Sequence, residues 1–282
     1  MEKENLKGRI DWITTLIPFV IVLAMMLVFM LIPSQSKLFV DTLRGFFGDT
    51  IGIYYVILGL GCVLLSLYLA FKDKYGQIKL GNIDKPVYSN FAWGTMIFTS
   101  TMAADIMFYS LIEWALYGAE PHVAELGKMQ LWAPTFPLFH WGPLAWGFYV
   151  VLAISFAFMM HVRKRERQRF SEAVRPLIGD RVDGPWGKVI DIVAVFAMVC
   201  ATATTFSLAT PLLASALASV FGISTSVTLT IGILLLICAV YTITVLLGMN
   251  GISKLASFCS YMFFAILFYF LFLGGETRYI VE

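Results

Sequence analysis

Three electron-rich aromatic side chains, Trp141, Trp146 and Tyr149, stand close together in the apolar stretch Phe139-HWGPLAWGFYV-Val151. On one continuous helix at about 100° per residue they fall within about 140° of arc and share a face. Such a face attracts a cation through its ring quadrupoles, and suits a quaternary ammonium, which has no N–H to donate. The competing reading is an interfacial belt of Trp and Tyr. With an apolar span starting near Pro137, Trp141 is about 6 Å in, where a belt would also put it. Trp146 and Tyr149 lie about 13 and 18 Å deep, near the middle of a hydrocarbon layer about 30 Å thick. A belt does not reach there.

Two further stretches carry polar groups inside apolar spans. Thr99-STMAADIM-Phe108 holds Asp105 and several hydroxyls. Asp105 is about 21 Å from a helix start near Phe91, and an intramembrane acid is expensive unless paired. It reads as a functional acid, or as a protonated Asp satisfied by a neighbouring helix. Glu113, near the outer end of that span, reads as a helix-packing or gate residue. Downstream, Thr202, Thr204, Thr205, Ser207 and Thr210 precede Pro211, which frees a backbone carbonyl. Hydroxyls and free carbonyls suit a hard cation such as sodium. Back-bonding within their own helix, or gluing of helices, explains the same hydroxyls without an ion.

Other chemistries lack their residues. Cys62, Cys200, Cys238 and Cys259 have neither metal-ligand nor disulfide spacing, and the three histidines form no ligand set. No nucleophile elbow, phosphate loop or metalloprotease motif occurs, so neither an enzyme nor a cofactor is expected.

Membrane helices must position these groups. Mean hydropathy is +0.82, and charged residues are 13% of the chain, about half the share of soluble domains. Seven spans are predicted, at about 12–33, 51–71, 91–118, 136–160, 189–219, 225–248 and 252–274. The first has no cleavage site and reads as a true helix. Ser34 to Thr50 reads as a short amphipathic outer segment, and Pro121 to Pro137 as a loop over the outer mouth. Of the 20 Lys and Arg, 16 fall on the side of the N-terminus. Basic loops stay cytoplasmic, so the N-terminus is expected inside and the end of helix 7 outside. The run His161-VRKRERQ-Arg169 then lies against anionic membrane lipid, and a nucleic-acid reading is poor.

In these segments the chain resembles the betaine/carnitine/choline transporter family, and the resemblance runs over essentially its whole length. Phe139-HWGPLAWGFY carries the resemblance most specifically, with Trp141, Trp146 and Tyr149 on the family's aromatic-box positions. Lys74-YGQIKLG, Tyr88-SNFAWGTM and Arg175-PLIGDRVDGPWGKVID are also similar to family segments. The resemblance implies an all-α integral membrane fold of the leucine-transporter type, with inverted repeats. Residues 1–85 would hold the two peripheral helices and a cytoplasmic loop. Residues 86–282 would hold the first five-helix repeat, with the second repeat absent. The implied function is secondary active transport of a quaternary ammonium compound by alternating access in a bacterial plasma membrane, with a homotrimer as the implied assembly.

Met102 and Asp105, on an unwound part of helix 3, would contact the substrate or the coupling ion. Thr101-MAA-Asp105 stands where family symporters have a glycine-rich stretch, and Glu113-Trp114 where a Glu-Pro pair usually follows. Ser207-LATPL is more similar to the sodium-independent exchangers, while an acid at position 105 resembles choline-type members. Thr202, Thr205 and Asp105 are thus the candidates for ion binding or coupling, by sodium or by proton. The rival readings are a non-transporting fragment, or half-subunit needing a second polypeptide, and a channel.

Overall fold

The computed structural model describes residues 11–274, without the side chains of residues 100–108, 110 and 111. Among the described residues all regular structure is helical. In chain order the helices are α1 (Trp12–Leu31), α2 (Pro33–Gly45), α3 (Gly52–Phe71), α4 (Asp73–Gly76), α5 (Asn90–Gly118), α6 (Pro121–Leu126) and α7 (Met129–His140). They continue as α8 (Pro143–Ala157), α9 (Phe170–Ala173), α10 (Arg175–Ile178), α11 (Pro185–Phe221), α12 (Val227–Leu246) and α13 (Gly248–Leu273). Single π-helical turns follow α2 at Phe46–Thr50 and α8 at Phe158–Val162.

Among the described residues, six segments are long and apolar enough to cross a membrane: Trp12–Leu31, Gly52–Phe71, Met129–Val162, Pro185–Phe221, Val227–Leu246 and Gly248–Leu273. The seventh expected span, 91–118, is the 29-residue α5. At 1.5 Å per residue it is about 43 Å long, enough to span. The exposed surfaces of these helices are apolar, as on Met30, Leu31, Ile57 and Leu235. That pattern suits hydrocarbon as the solvent.

Three expectations need correction. The stretch 129–137 is helix and not loop. The fourth span is two helices, since α7 stops at His140 and α8 begins at Pro143. Nor is α5 unwound around Met102 and Asp105; its backbone is helical from Asn90 to Gly118. The sequence there has alanines and no proline, and alanine is the strongest helix former.

The chain divides into two compact units, Met1–Ile83 with Glu113–Ala203, and Asp84–Ile112 with Thr204–Glu282. In the first, α3 packs along α8. Glycine sets the approach: a Cβ on Gly147 would lie 2.8 Å from Val63 Cγ2 and 3.0 Å from the Val63 nitrogen. Close backbone approach through small residues is how helices associate where lipid removes the hydrophobic drive.

The segment after α8 is held by charge. Buried Arg175 donates to both Glu172 oxygens at 2.7 Å, to Asp183 at 3.0 Å and to Asp180 at 3.2 Å. Arg167 adds a bond to Asp183 at 2.8 Å. Buried Asp191 on α11 accepts from the Ser171 N–H at 2.8 Å and its hydroxyl at 2.9 Å. The Arg175 hydrogen bonds hold Glu172 and Asp183 below the usual carboxylate range. Asp11 caps α1 through the Thr14 N–H, which lowers its pKa, and pairs with Arg169 at 3.1 Å.

In the second unit α5 meets α13. Phe91 stacks on Tyr261 with centroids 5.0 Å apart, and the Thr95 and Ser257 hydroxyls are 3.4 Å apart. Phe206 on α11 meets Tyr241 on α12 edge-on at 6.2 Å.

Candidate functional site

The break between α7 and α8 follows from three residues. Pro143 has no N–H and takes the first position of α8, where none is needed. Gly142 is extended, with ψ −169°. A Cβ there would lie 2.5 Å from the Leu138 carbonyl oxygen, so glycine is required. Trp141 caps the end of α7, its N–H bonding the Pro137 carbonyl at 2.9 Å.

The aromatics gather around this break. Trp146 reaches back from α8, and its indole N–H donates to the Trp141 carbonyl at 2.7 Å. Its ring lies 5.6 Å from that of Tyr149, tilted by 37°. Trp141 stacks on His140 with centroids 4.9 Å apart. Trp141 and Trp146 are half-buried, whereas Tyr149 is exposed. The three are therefore grouped by a chain break and a backbone hydrogen bond, not by one continuous helical face.

Beneath them lies a carboxylate. Glu113 on α5 is 6% exposed. One of its oxygens accepts from the Trp141 indole N–H at 2.6 Å, and the other bonds His140 Nδ1. Both oxygens of the buried acid are thus engaged, and Trp141 is fixed in orientation.

The remaining candidates are placed less fully. Met102 and Asp105 lie on α5, with side chains outside the described residues. Thr202 on α11 donates its hydroxyl to its own helix, at the Met198 carbonyl, 2.8 Å away, and Ser207 does the same to Thr204 at 2.8 Å. Back-bonding accounts for these two hydroxyls. Thr205 is half-buried on the same helix. The Thr210 hydroxyl, one turn beyond Thr205, is buried with no hydrogen-bond partner among the described residues. Among those residues no cluster of His, Cys, Asp or Glu could hold a metal ion.

Glu113 and His140 are the site residues that spacing did not reveal. Glu113 was expected to pack helices or act as a gate, and it does join two helices, α5 and the α7 end. Its contact with the aromatic site needed the fold. The one available signal was an acid inside an apolar span together with a His-Trp pair at the mouth of another.

The family model described as BCCT, betaine/carnitine/choline family transporter, matches residues 13–282. A probable glycine betaine transporter of Desulfitobacterium hafniense (strain Y51) is 33% identical over 213 residues, covering 73% of this chain and 42% of the relative. The glycine betaine transporter OpuD of Bacillus subtilis (strain 168) is 28% identical over 254 residues, 89% of this chain and 49% of its own length. A glycine betaine transporter of Acinetobacter baylyi is 27% identical over 277 residues, 96% of this chain and 41% of its own length. The chain spans less than half the length of these relatives. Apolar helices of spanning length and a match over nearly all its residues agree: this multi-pass membrane chain belongs to the betaine/carnitine/choline transporter family.

Proposed function

We propose that this chain is the N-terminal half of a secondary carrier that moves quaternary ammonium compounds across the plasma membrane by alternating access. The observation that carries the reading is the aromatic group at the α7–α8 break, with Trp141 locked onto buried Glu113. A trimethylammonium group cannot be held by hydrogen bonds, so ring faces and a nearby negative charge are the chemistry it needs. Relatives named as glycine betaine transporters support that substrate class. A broken membrane helix supports the rest, because carriers place midplane sites where helices are interrupted.

In this reading Trp141, Trp146 and Tyr149 form half of the cation cage. Met102 and Asp105 complete the contacts from α5, Asp105 serving as counter-ion for a substrate without a carboxylate. Thr202 and Thr205, near the carbonyl freed by Pro211, are the sodium ligands if coupling is by sodium; with proton coupling, Asp105 is the carrier. Residues 1–85 form the peripheral helices and 86–282 the first repeat, with the N-terminus cytoplasmic and the assembled carrier trimeric. The other half of the cage comes from a second repeat, supplied in the same or another polypeptide.

Radiolabelled glycine betaine uptake tests this in cells making residues 1–282 alone, or with the C-terminal half of a related carrier. Uptake is expected only in the pair, and Trp146→Ala should raise the glycine betaine concentration needed for half-maximal uptake by about 5–30-fold. Uptake by the isolated chain would overturn the half-site reading. No uptake by any pair, with both halves inserted in the membrane, would overturn the carrier reading.

A further inference from the structure

An apolar cavity of about 510 Å³ opens where α3 and α8 end. Leu69, Ile154 and Phe158 line it from these helices, and Ile78 and Leu80 from the segment after α4. Its size is that of a ligand pocket. A second cavity, of about 410 Å³, is lined by Arg163, Lys164, Arg165 and Arg175, with Asp180 as its acid. Met159 and Pro176 line both. A greasy slot and a basic cup thus share two walls.

The backbone turns where the basic residues lie. The Arg163 N–H bonds the Phe158 carbonyl at 3.0 Å, and the Arg165 N–H bonds that of Met159 at 3.0 Å. Lys164 between them adopts a left-handed conformation, φ 53°. The Arg163 guanidinium stands 5.7 Å over the Phe158 ring, at the border of the two cavities. Arg175 is already taken by Glu172, Asp180 and Asp183. The charge open to a ligand is therefore that of Arg163, Lys164 and Arg165, the last also felt by Glu172. All three side chains are exposed.

The position in the chain identifies the occupant. Here α3 and α8 leave their apolar spans and the first charged residues follow. That is the level at which acyl chains meet headgroups, and a basic pocket beside membrane helices at this level fits an anionic headgroup. Arginine offers a phosphate paired N–H donors, which a zwitterionic headgroup satisfies less well because its own cation competes. We infer that this place is a discrete binding site for one anionic phospholipid, its phosphate among Arg163, Lys164 and Arg165 and one acyl chain between Leu69 and Ile154.

Native mass spectrometry of the full chain in detergent, titrated with phosphatidylglycerol or with phosphatidylcholine of identical acyl chains, tests it. Phosphatidylglycerol should bind at least about tenfold more tightly, from the summed attraction of three cations. The combined change Arg163→Ala, Lys164→Ala and Arg165→Ala should erase that preference without moving the melting temperature. The pair Arg163→Lys and Arg165→Lys, which keeps the three charges but loses the paired N–H donors, should keep only part of it. Ile154→Trp, which fills the slot, should weaken both lipids. Equal binding of the two lipids by the unmodified chain, or an unchanged preference in the triple variant, would overturn the site. Displacement of phosphatidylglycerol by inorganic phosphate with no effect of Ile154→Trp would show a free-anion site and overturn the lipid assignment.

Discussion

The indole N–H of Trp146 donates to the carbonyl oxygen of Trp141 across the break between two helices, at 2.7 Å. This bond satisfies a carbonyl that the interrupted helix leaves open, and it aims the Trp146 ring. Structure and binding chemistry therefore meet in one side chain. Trp146→Ala in an assembled carrier should weaken trimethylammonium binding by about 1–2 kcal/mol. Trp146→Phe should recover the ring term but lose the N–H bond. Isothermal titration with glycine betaine separates the two variants. Binding by the alanine variant equal to the parent would leave Trp146 a packing residue.

Glu113→Gln keeps the shape of the buried acid and removes its charge. A carboxamide replaces one of the two acceptor oxygens with an NH2 donor, so both contacts persist only with the oxygen on Trp141 Nε1–H and His140 Nδ1 as acceptor. Exchanging the acid for this weaker pair should cost about 1 kcal/mol of stability. The loosened indole should also shift the tryptophan emission. An unchanged melting temperature together with unchanged emission would mean that Glu113 does not anchor Trp141.

Gly147 should tolerate nothing larger. Its added Cβ would meet Val63 Cγ2 at 2.8 Å, so Gly147→Ala should force α3 from α8 and cost about 1–3 kcal/mol. Gly61 on α3 has nothing within 4 Å of an added Cβ. Gly61→Ala should be neutral or stabilise by up to about 1 kcal/mol, through helix propensity. Thermal unfolding in detergent compares them, and equal melting temperatures would remove the close-contact account.

The Arg175 network makes an acid-sensitive contribution. Glu172 and Asp183 have folded pKa values below their ordinary 4.5 and 3.8, chiefly through hydrogen bonds from Arg175. A depressed carboxylate stabilises fully above its unfolded value and loses that contribution as pH falls through the folded one. Stability should drop below about pH 4.5, in the window these two groups define. Arg175→Leu should lower stability near neutrality by about 3–5 kcal/mol, because Glu172 is left buried and unpaired. It should also flatten the acid limb. A parent-like limb in the variant would place the acid sensitivity elsewhere.

Topology follows from 16 of 20 basic residues on one side. A reporter fused after Glu282 should be active outside and silent in the cytoplasm. Cytoplasmic activity would remove the seven-span, N-inside arrangement.

The sequence by itself determined the class of the fold. Long apolar runs must satisfy every backbone group internally in lipid, so they are helices whatever their neighbours do. This made α1, α3, α11, α12 and α13 readable from composition and length, with ends only a few residues off. The aromatic trio was legible for the same reason, since Trp and Tyr deep in such a run stand out chemically. Tertiary structure decided how those residues are used. Periodicity assumes an unbroken helix, but Gly142 and Pro143 interrupt this one, so a hydrogen bond across the gap sets the grouping. The Glu113–Trp141 contact joins residues 28 positions apart, and Arg175 gathers acids from separate short turns. Neither has a period to read. A buried charge must find its partner through the packing of helices, and that packing exists only once the chain has folded.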